Sequence, residues 1–364
     1  MKTESNNAFL VKEQTTFFLT LFKFKNMKST QVTIKDIARE LGISPSTVSR
    51  ALKDHPDISQ DTKNLVNELA KKLNYRPNII ALSLRSQKSN VIGVIIPEIV
   101  HYFFSSVISG IEEVANEHGY SVMISQSGED YNKEVSTCDA FFNGIIDGLL
   151  VSVTKETVDY THLKRFDDEG IPIVFFDRIV EEISSDRVII DDLVGAFQAT
   201  EHLIIQGRRK IVHFAGPQNR LIGQNRLNGY LKAMSDNGVF IDKSLIISCD
   251  NFHSAVVETQ KLIDNKVRFD AIFTVNDFTA AGAMKVLQKN GIKVPSEVSV
   301  VGFGDDLTAE MTDPSLTTVK QPGFEMGKKA MEMLIQRIKQ TKPESPKTEI
   351  LKTSLVVRES SRIK

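Results

Sequence analysis

Apolar positions along the chain fall into two regimes. Before about residue 75 they recur at helical spacing in short stretches. Thr33 is placed to cap a first helix, with Asp36 three residues on as its partner, and Ile34, Ile37, Ala38 and Leu41 share one face. Gly42 marks its end. Ser44 is placed to cap a second helix, with Pro45 at the first position, where a missing N–H costs nothing. In that helix Val48, Ala51 and Leu52 point inward, and Ser46, Thr47, Ser49 and Arg50 point out. Ser59 caps a third, whose inward residues are expected to be Leu65, Leu69, Ala70 and Leu73.

From residue 91 the pattern changes. Apolar runs at 91–97, 120–125, 148–153, 172–177, 188–191, 210–216, 271–276 and 298–304 read as strands. Amphipathic stretches at 104–118, 193–206, 226–237 and 279–290 lie between them. Each stretch stops at a glycine: Gly119, Gly207, Gly238 and Gly291. Strands rich in Val and Ile on both faces, alternating with helices, imply parallel sheets covered on both sides. That many units exceed one doubly wound sheet, so two α/β subdomains with a cleft between them are expected. In such sheets ligands bind beyond the carboxyl ends of the strands. This nominates residues 101–104, Asp177, Arg178, Asp191, Asp192, residues 217–226, Asn276, Asp277 and residues 304–306.

The net charge of −1 conceals a split: +2 over residues 1–26, +5 over 27–90 and −8 over 91–364. A basic head on an acidic body points to a polyanionic partner. Two short helices joined by a glycine turn form a helix-turn-helix, whose second helix enters the major groove. Arg50 suits guanine, and the hydroxyls of Ser46, Thr47 and Ser49 suit a base or a phosphate. The bland alternative is a three-helix bundle with no DNA role. Cys138 and Cys249 lie far apart, without metal-ligand spacing, so no disulfide, metal or cofactor is expected. There is no G-x-S-x-G, G-x-x-x-x-G-K-[ST] or H-E-x-x-H, and no enzyme is expected. The run Phe17–Phe22 is too short to cross a bilayer and lacks a small-residue cleavage site. Residues 1–31 are expected to be a disordered extension, or to follow from a start set upstream of Met27. The expected location is cytoplasmic, without a membrane partner.

One ordered series of motifs is more specific. VTIKDIARELGISPSTVSRAL, NYRPNIIALSLR and VIGVIIP, then GIIDGLLVS, GIPIVFFDR, GRRKIVHFAG, RLNGY, FDAIFTVNDFTAAGAM, VPSEVSVVGF and DPSLTTVKQP, closely resemble the lactose-repressor (LacI/GalR) family of bacterial regulators. The resemblance runs from about Val32 to the C-terminus. It implies a helix-turn-helix head over 32–76, a hinge helix and linker over 77–90, and a periplasmic-binding-protein-like body over 91–364. The body would bind effector and form dimers, its chain crossing between the subdomains more than once. A homodimer would bind double-stranded, pseudo-palindromic operator DNA, with repression as the family default. Leu84 matches a wedge that kinks the minor groove, and Arg85 beside it would hold phosphate. Tyr75, Asn78 and Ala81 would also lie on the DNA side, as would Thr33 and Ser44.

For the effector, Phe103 and Phe104 match residues that stack on a ring, Asp177 an acid, Arg226 a clamping guanidinium, Asn276 a polar contact and Phe252 an aromatic cleft residue. Each could instead be structural. The sequence departs from the family where an acid follows Gly-[FY]: here Gly304 holds that place, unless Asp305 shifts in. A sugar or sugar derivative is the expected effector, larger than a simple hexose or carrying an acidic group for Arg226. A nucleoside or nucleobase is the alternative. A periplasmic sugar-binding protein would share the body, but the helix-turn-helix argues against it. The end of the chain carries no leucine heptad of the kind that forms tetramers.

Overall fold

Glycines stop the helices where the sequence placed them, and the carboxyl ends of two sheets define where a ligand can sit. A computed structural model describes residues 32–75, 88–100, 102–144, 146–340 and 344–362. Contacts divide the chain into two units, residues 1–87 and 88–364.

In the first unit, helices α1 (Ile34–Leu41), α2 (Pro45–Leu52) and α3 (Gln60–Lys72) bury Ile37, Ala38, Val48, Ala51, Val66 and Ala70 together. Leu65 was expected inside, yet it is 56% exposed while Val66 is fully buried. Val66, Leu69, Ala70 and Leu73 form a complete i, i+3, i+4, i+7 stripe. Leu65 shares only the i+4 step to Leu69 and stands about 100° round from Val66.

The second unit contains two six-stranded sheets among the described residues. Sheet one is built from β1 (Val91–Ile96), β2 (Ser121–Gln126), β3 (Gly148–Val151), β4 (Ile173–Phe176), β5 (Asp186–Ile190) and β11 (Thr348–Leu351). Its order is β11-β5-β4-β3-β1-β2, parallel throughout. Sheet two uses β6 (Ile211–Ala215), β7 (Ile246–Ser248), β8 (Ala271–Thr274), β9 (Ser299–Gly304), β10 (Thr317–Lys320) and β12 (Ser354–Val356). Its order is β12-β10-β9-β8-β6-β7, with β12 alone antiparallel.

Sheet one is flanked by α4 (Tyr102–Glu117), α5 (Tyr131–Gly144), α6 (Thr161–Asp168) and α12 (Gly323–Lys339); sheet two by α7 (Asp192–Ile205), α8 (Leu221–Asp236), α9 (Phe252–Asp264) and α10 (Asp277–Lys289), with the short α11 (Leu307–Met311) after β9. The chain passes between the subdomains after β5, after β10 and between β11 and β12. The second passage sends α12 back against α4, where the two backbones nearly touch. A Cβ on Gly327 would stand 1.9 Å from the Val107 carbonyl oxygen, so only glycine fits.

In each sheet the strand order reverses beside the first strand, between β1 and β3 and between β6 and β8. These switch points open a crevice at the carboxyl ends, which brings the loops after β3, β6 and β8 toward a common space.

Candidate functional site

The head presents its polar residues at the start of α2. Thr33 precedes α1, and both its N–H (2.9 Å) and its hydroxyl (2.7 Å) donate to Asp36 Oδ2. Those bonds hold the Asp36 carboxyl below its usual range, with Arg39 at 3.1 Å adding to the effect. Gly42 takes the left-handed conformation (φ +64°) and turns the chain into α2. There Ser44 Oγ accepts from the Thr47 N–H at 3.1 Å and lies 2.7 Å from Ser46 Oγ and 2.8 Å from Thr47 Oγ1. Three hydroxyls are thus fixed as one cluster over the first turn of α2, where the helix dipole favours an anion such as phosphate. Ser44, Pro45, Ser46 and Arg50 are exposed; Thr47 and Ser49 are half-buried. Among the described residues no ion pair holds Arg50. Tyr75 packs against the head's core, and burial pushes its phenol up. Asn78, Ala81, Leu84 and Arg85 lie outside the described residues.

In the body, Asp177, Asp192 and Arg226 come together. Asp177 follows β4 in a left-handed conformation (φ +59°) and accepts from Ser152 Oγ at 3.3 Å. Burial pushes its carboxyl up to about 6, with Asp192 adding and Arg178 and Arg226 opposing. Arg226, on α8, donates from Nε to Asp192 Oδ1 at 2.7 Å and from Nη1 to the Val275 carbonyl at 2.5 Å. Its guanidinium lies 3.7 Å from the centre of the Phe303 ring. The Arg226 charge is therefore answered inside the protein, by a carboxylate that is itself only 4% exposed. An acidic group on the effector would thus compete with Asp192 for Arg226 rather than meet an unpaired guanidinium.

Other expected contacts are committed to the framework to differing degrees. Phe104 is 4% exposed and belongs to the core, whereas Phe103 is half-buried, with the two rings 5.2 Å apart edge to face. Asn276 caps α10 through Oδ1 (Thr279 N at 2.8 Å) and donates from Nδ2 to the Asp250 carbonyl at 2.7 Å. Phe252 opens α9, with the Lys285 ammonium 5.5 Å from its ring centre.

Asp305 does not shift into the vacant acid position. Its carboxylate lies 2.7 Å from Arg358 Nη2, while its N–H donates to Asp277 Oδ2 at 2.7 Å. Asp277 is the acid that fills this region: a Cβ on Gly304 would stand 3.0 Å from its Oδ2. Asp277 also accepts from Thr318 Oγ1 at 2.5 Å and from the Asp306 N–H at 3.2 Å. Burial nonetheless pushes its carboxyl up to about 7.

Sequence reasoning nominated Asp192, Asp277 and the segment that holds Arg220 as strand-end candidates but gave none of the three a contact to make. Arg220 precedes α8, is 8% exposed, donates to the Thr157 carbonyl, and has a buried Nε without a partner. Among the described residues no group of three or more metal-ligating side chains occurs, and no helix is long and apolar enough to cross a membrane.

A helix-turn-helix head with a fixed hydroxyl cluster, joined in sequence to a two-sheet α/β body with a polar crevice, defines a DNA-binding regulator. Family comparisons agree: residues 33–78 match the model for bacterial regulatory proteins of the lacI family, and residues 200–361 match a periplasmic binding protein-like domain. The chain is 33% identical over 332 residues to a ribose operon repressor of Halalkalibacterium halodurans, covering 91% of this chain and 97% of that one. It is 32% identical to the repressor CytR of Escherichia coli K12, covering 92% and 98%. A solved regulator, CelR in complex with cellobiose, superposes with a TM-score of 0.69 at 28% identity, covering 90% and 99%. The Lac repressor dimer bound to operator shares the fold (TM-score 0.78, 24% identity, covering 91% and 99%). The chain belongs to the lacI family: it is a DNA-binding transcriptional repressor, not an enzyme.

Proposed function

We propose that this repressor acts in the cytoplasm as a homodimer whose operator affinity is set by a small polar ligand, a sugar or sugar derivative, bound between the two subdomains. The observation that carries this reading is the Asp177–Asp192–Arg226 cluster over the Phe303 ring, at the carboxyl ends of the strands. Because Asp192 offsets Arg226, the cluster as a whole suits neutral hydroxyls, which can accept from the guanidinium and donate to the carboxylates. A ligand with an acidic group would meet Arg220 instead, which no carboxylate pairs among the described residues. Sugar-related names recur among similar proteins: a ribose operon repressor and a regulator–cellobiose complex.

A panel of pentoses, hexoses, disaccharides, their phosphates and nucleosides, read by thermal unfolding, tests this. The true effector should stabilise the fold by about 2.7 kcal/mol at 100 times its dissociation constant and shift operator affinity. If only nucleosides stabilise, the sugar reading fails; if nothing in the panel does, the cleft reading fails.

On DNA, α2 is the major-groove reader and Leu84 the minor-groove wedge. Arg50→Ala should weaken operator binding by about tenfold, a loss of roughly 1–3 kcal/mol if the contact is a base edge. Leu84→Ala should lose more affinity for operator than for random duplex, since a wedge acts only where DNA is kinked. Equal losses on both, measured by fluorescence anisotropy at fixed salt, would remove Leu84 from that role.

A further inference from the structure

We propose that residues 154–157 form a strap which holds the two subdomains of the body together without ligand, and that Glu134 is the strap's buried anchor. The strap leaves sheet one after β3 and meets the other subdomain at three points. The Asn219 amide donates to the Lys155 carbonyl at 3.0 Å, Arg220 donates to the Thr157 carbonyl, and Lys155 Nζ lies 3.4 Å from Asp250 Oδ2. Asn219 and Arg220 sit just before α8, and Asp250 just before α9. The Asp250 carbonyl in turn accepts from Asn276, the cap of α10. One loop therefore grips the leading ends of the same helices that surround the cleft.

Its own side is rigid. Glu134, on α5, is fully buried and accepts from the Thr154 N–H at 2.7 Å and the Thr157 hydroxyl at 2.8 Å. His162 Nε2 lies 2.9 Å from the same carboxylate. Glu129 accepts from the Lys155 N–H at 2.9 Å and is itself held by Arg178 at 2.7 Å. The half-exposed Lys155–Asp250 pair contributes little alone. The two bonds to strap carbonyls matter more, because opening would strip the buried Arg220 of its acceptor. Anchoring the strap at Glu134 makes those contacts break together rather than one at a time. The cleft's open population would then be set by the strap before any ligand arrives, and a ligand acts by its preference between the two states.

Neither the strap nor its test depends on what the effector is. Spin labels on Glu169→Cys and Asn265→Cys, one exposed site in each subdomain, report the spacing by pulsed electron resonance on the ligand-free full chain, diluted with unlabelled chain so that only distances within one chain are read. The parent should give one narrow distance. Lys155→Met combined with Asn219→Ala should add a second, longer population, raising the open fraction about tenfold. Glu134→Gln should do the same, although every cross-cleft donor and acceptor remains present. An unchanged distribution in the Lys155/Asn219 variant overturns the strap. A folded Glu134→Gln variant with the parent's distribution overturns the anchor. Should Glu134→Gln fail to fold, Glu134→Asp, which keeps the charge but shortens the reach, replaces it with the same two outcomes.

Discussion

Arg226→Ala is expected to abolish the response to effector and to destabilise the body by about 3–5 kcal/mol, the usual result of stranding one partner of a buried ion pair. Three partners lose the guanidinium at once. Asp192, 4% exposed, is left with a buried charge; the Val275 carbonyl loses a donor; and the Phe303 ring loses the cation 3.7 Å from its centre. Burial already raises the Asp192 carboxyl against the pull of Arg226, so without Arg226 it should take up a proton to avoid the unpaired charge. Adding Asp192→Asn to the Arg226→Ala protein should therefore return part of the stability, while the ligand response stays lost. Thermal unfolding and operator binding with and without ligand separate the two effects. If ligand is an inducer, the variant should still bind operator without it; if ligand is a co-repressor, ligand-dependent binding should disappear. A variant responding at the wild-type ligand concentration would take Arg226 out of the site, whatever its stability.

That pair also shows what the sequence could and could not reveal. Local rules travelled well. Gly119, Gly207, Gly238 and Gly291 all adopt left-handed conformations (φ between 63° and 86°) at the helix ends they were expected to close. The eight apolar runs all became strands; seven are buried in a covered sheet, as residues apolar on both faces require, while β2 is an edge with Met123 and Ile124 exposed. Strands without that signature escaped notice. β11 and β12 are sheet edges with alternating or half-exposed residues, and β10 is TTVK, polar by composition yet buried through Lys320's neighbours. Helices α5 and α6 carry buried polar residues inside their periodic pattern, Glu134 and His162, because Glu134 holds the polar strap and His162 meets the same carboxylate. The site was half legible for a related reason. Position relative to strand ends is a local property, so Asp177, Asp192, Arg220, Arg226, Asn276 and Asp277 all lay in the nominated segments. Which of them pair with each other is not local. Asp192 and Arg226 are 34 residues apart, and Asp305 meets Arg358, which follows β12 more than 50 residues on. Family resemblance pointed to Arg226 but carried no information about its partner, and the partner decides which charge a ligand would see.

A second large effect is expected in the pH dependence of stability. Asp277 has a carboxyl pushed up to about 7 and Asp177 one pushed up to about 6, burial being the main cause for each. In the unfolded chain both titrate near the ordinary carboxylate value of 3.8. The folded state thus holds these protons more tightly, and their contribution is fully present below about pH 4, declining as pH rises through 6 and 7. The upper bound from Asp277 is about 4 kcal/mol, taking three pH units at 1.4 kcal/mol each. His213 works in the opposite sense: burial lowers it to about 4, so its contribution grows as pH rises toward the ordinary imidazole value of 6.5. The raw stability profile therefore mixes opposing slopes over much of the same range. The difference between wild type and Asp277→Asn isolates one group, because His213 and Asp177 are common to both proteins. Asparagine keeps an acceptor for Thr318 but turns an amide toward the Asp305 and Asp306 N–H groups, so a constant penalty is expected at every pH. On top of that constant, the wild type's advantage should shrink steadily from about pH 4 to about pH 7 and then level off. Urea unfolding across that range checks it. A difference that stays flat, or grows with pH, would mean that the three donors around Asp277 outweigh its burial and that the carboxylate is ionised in the folded protein at every pH tested.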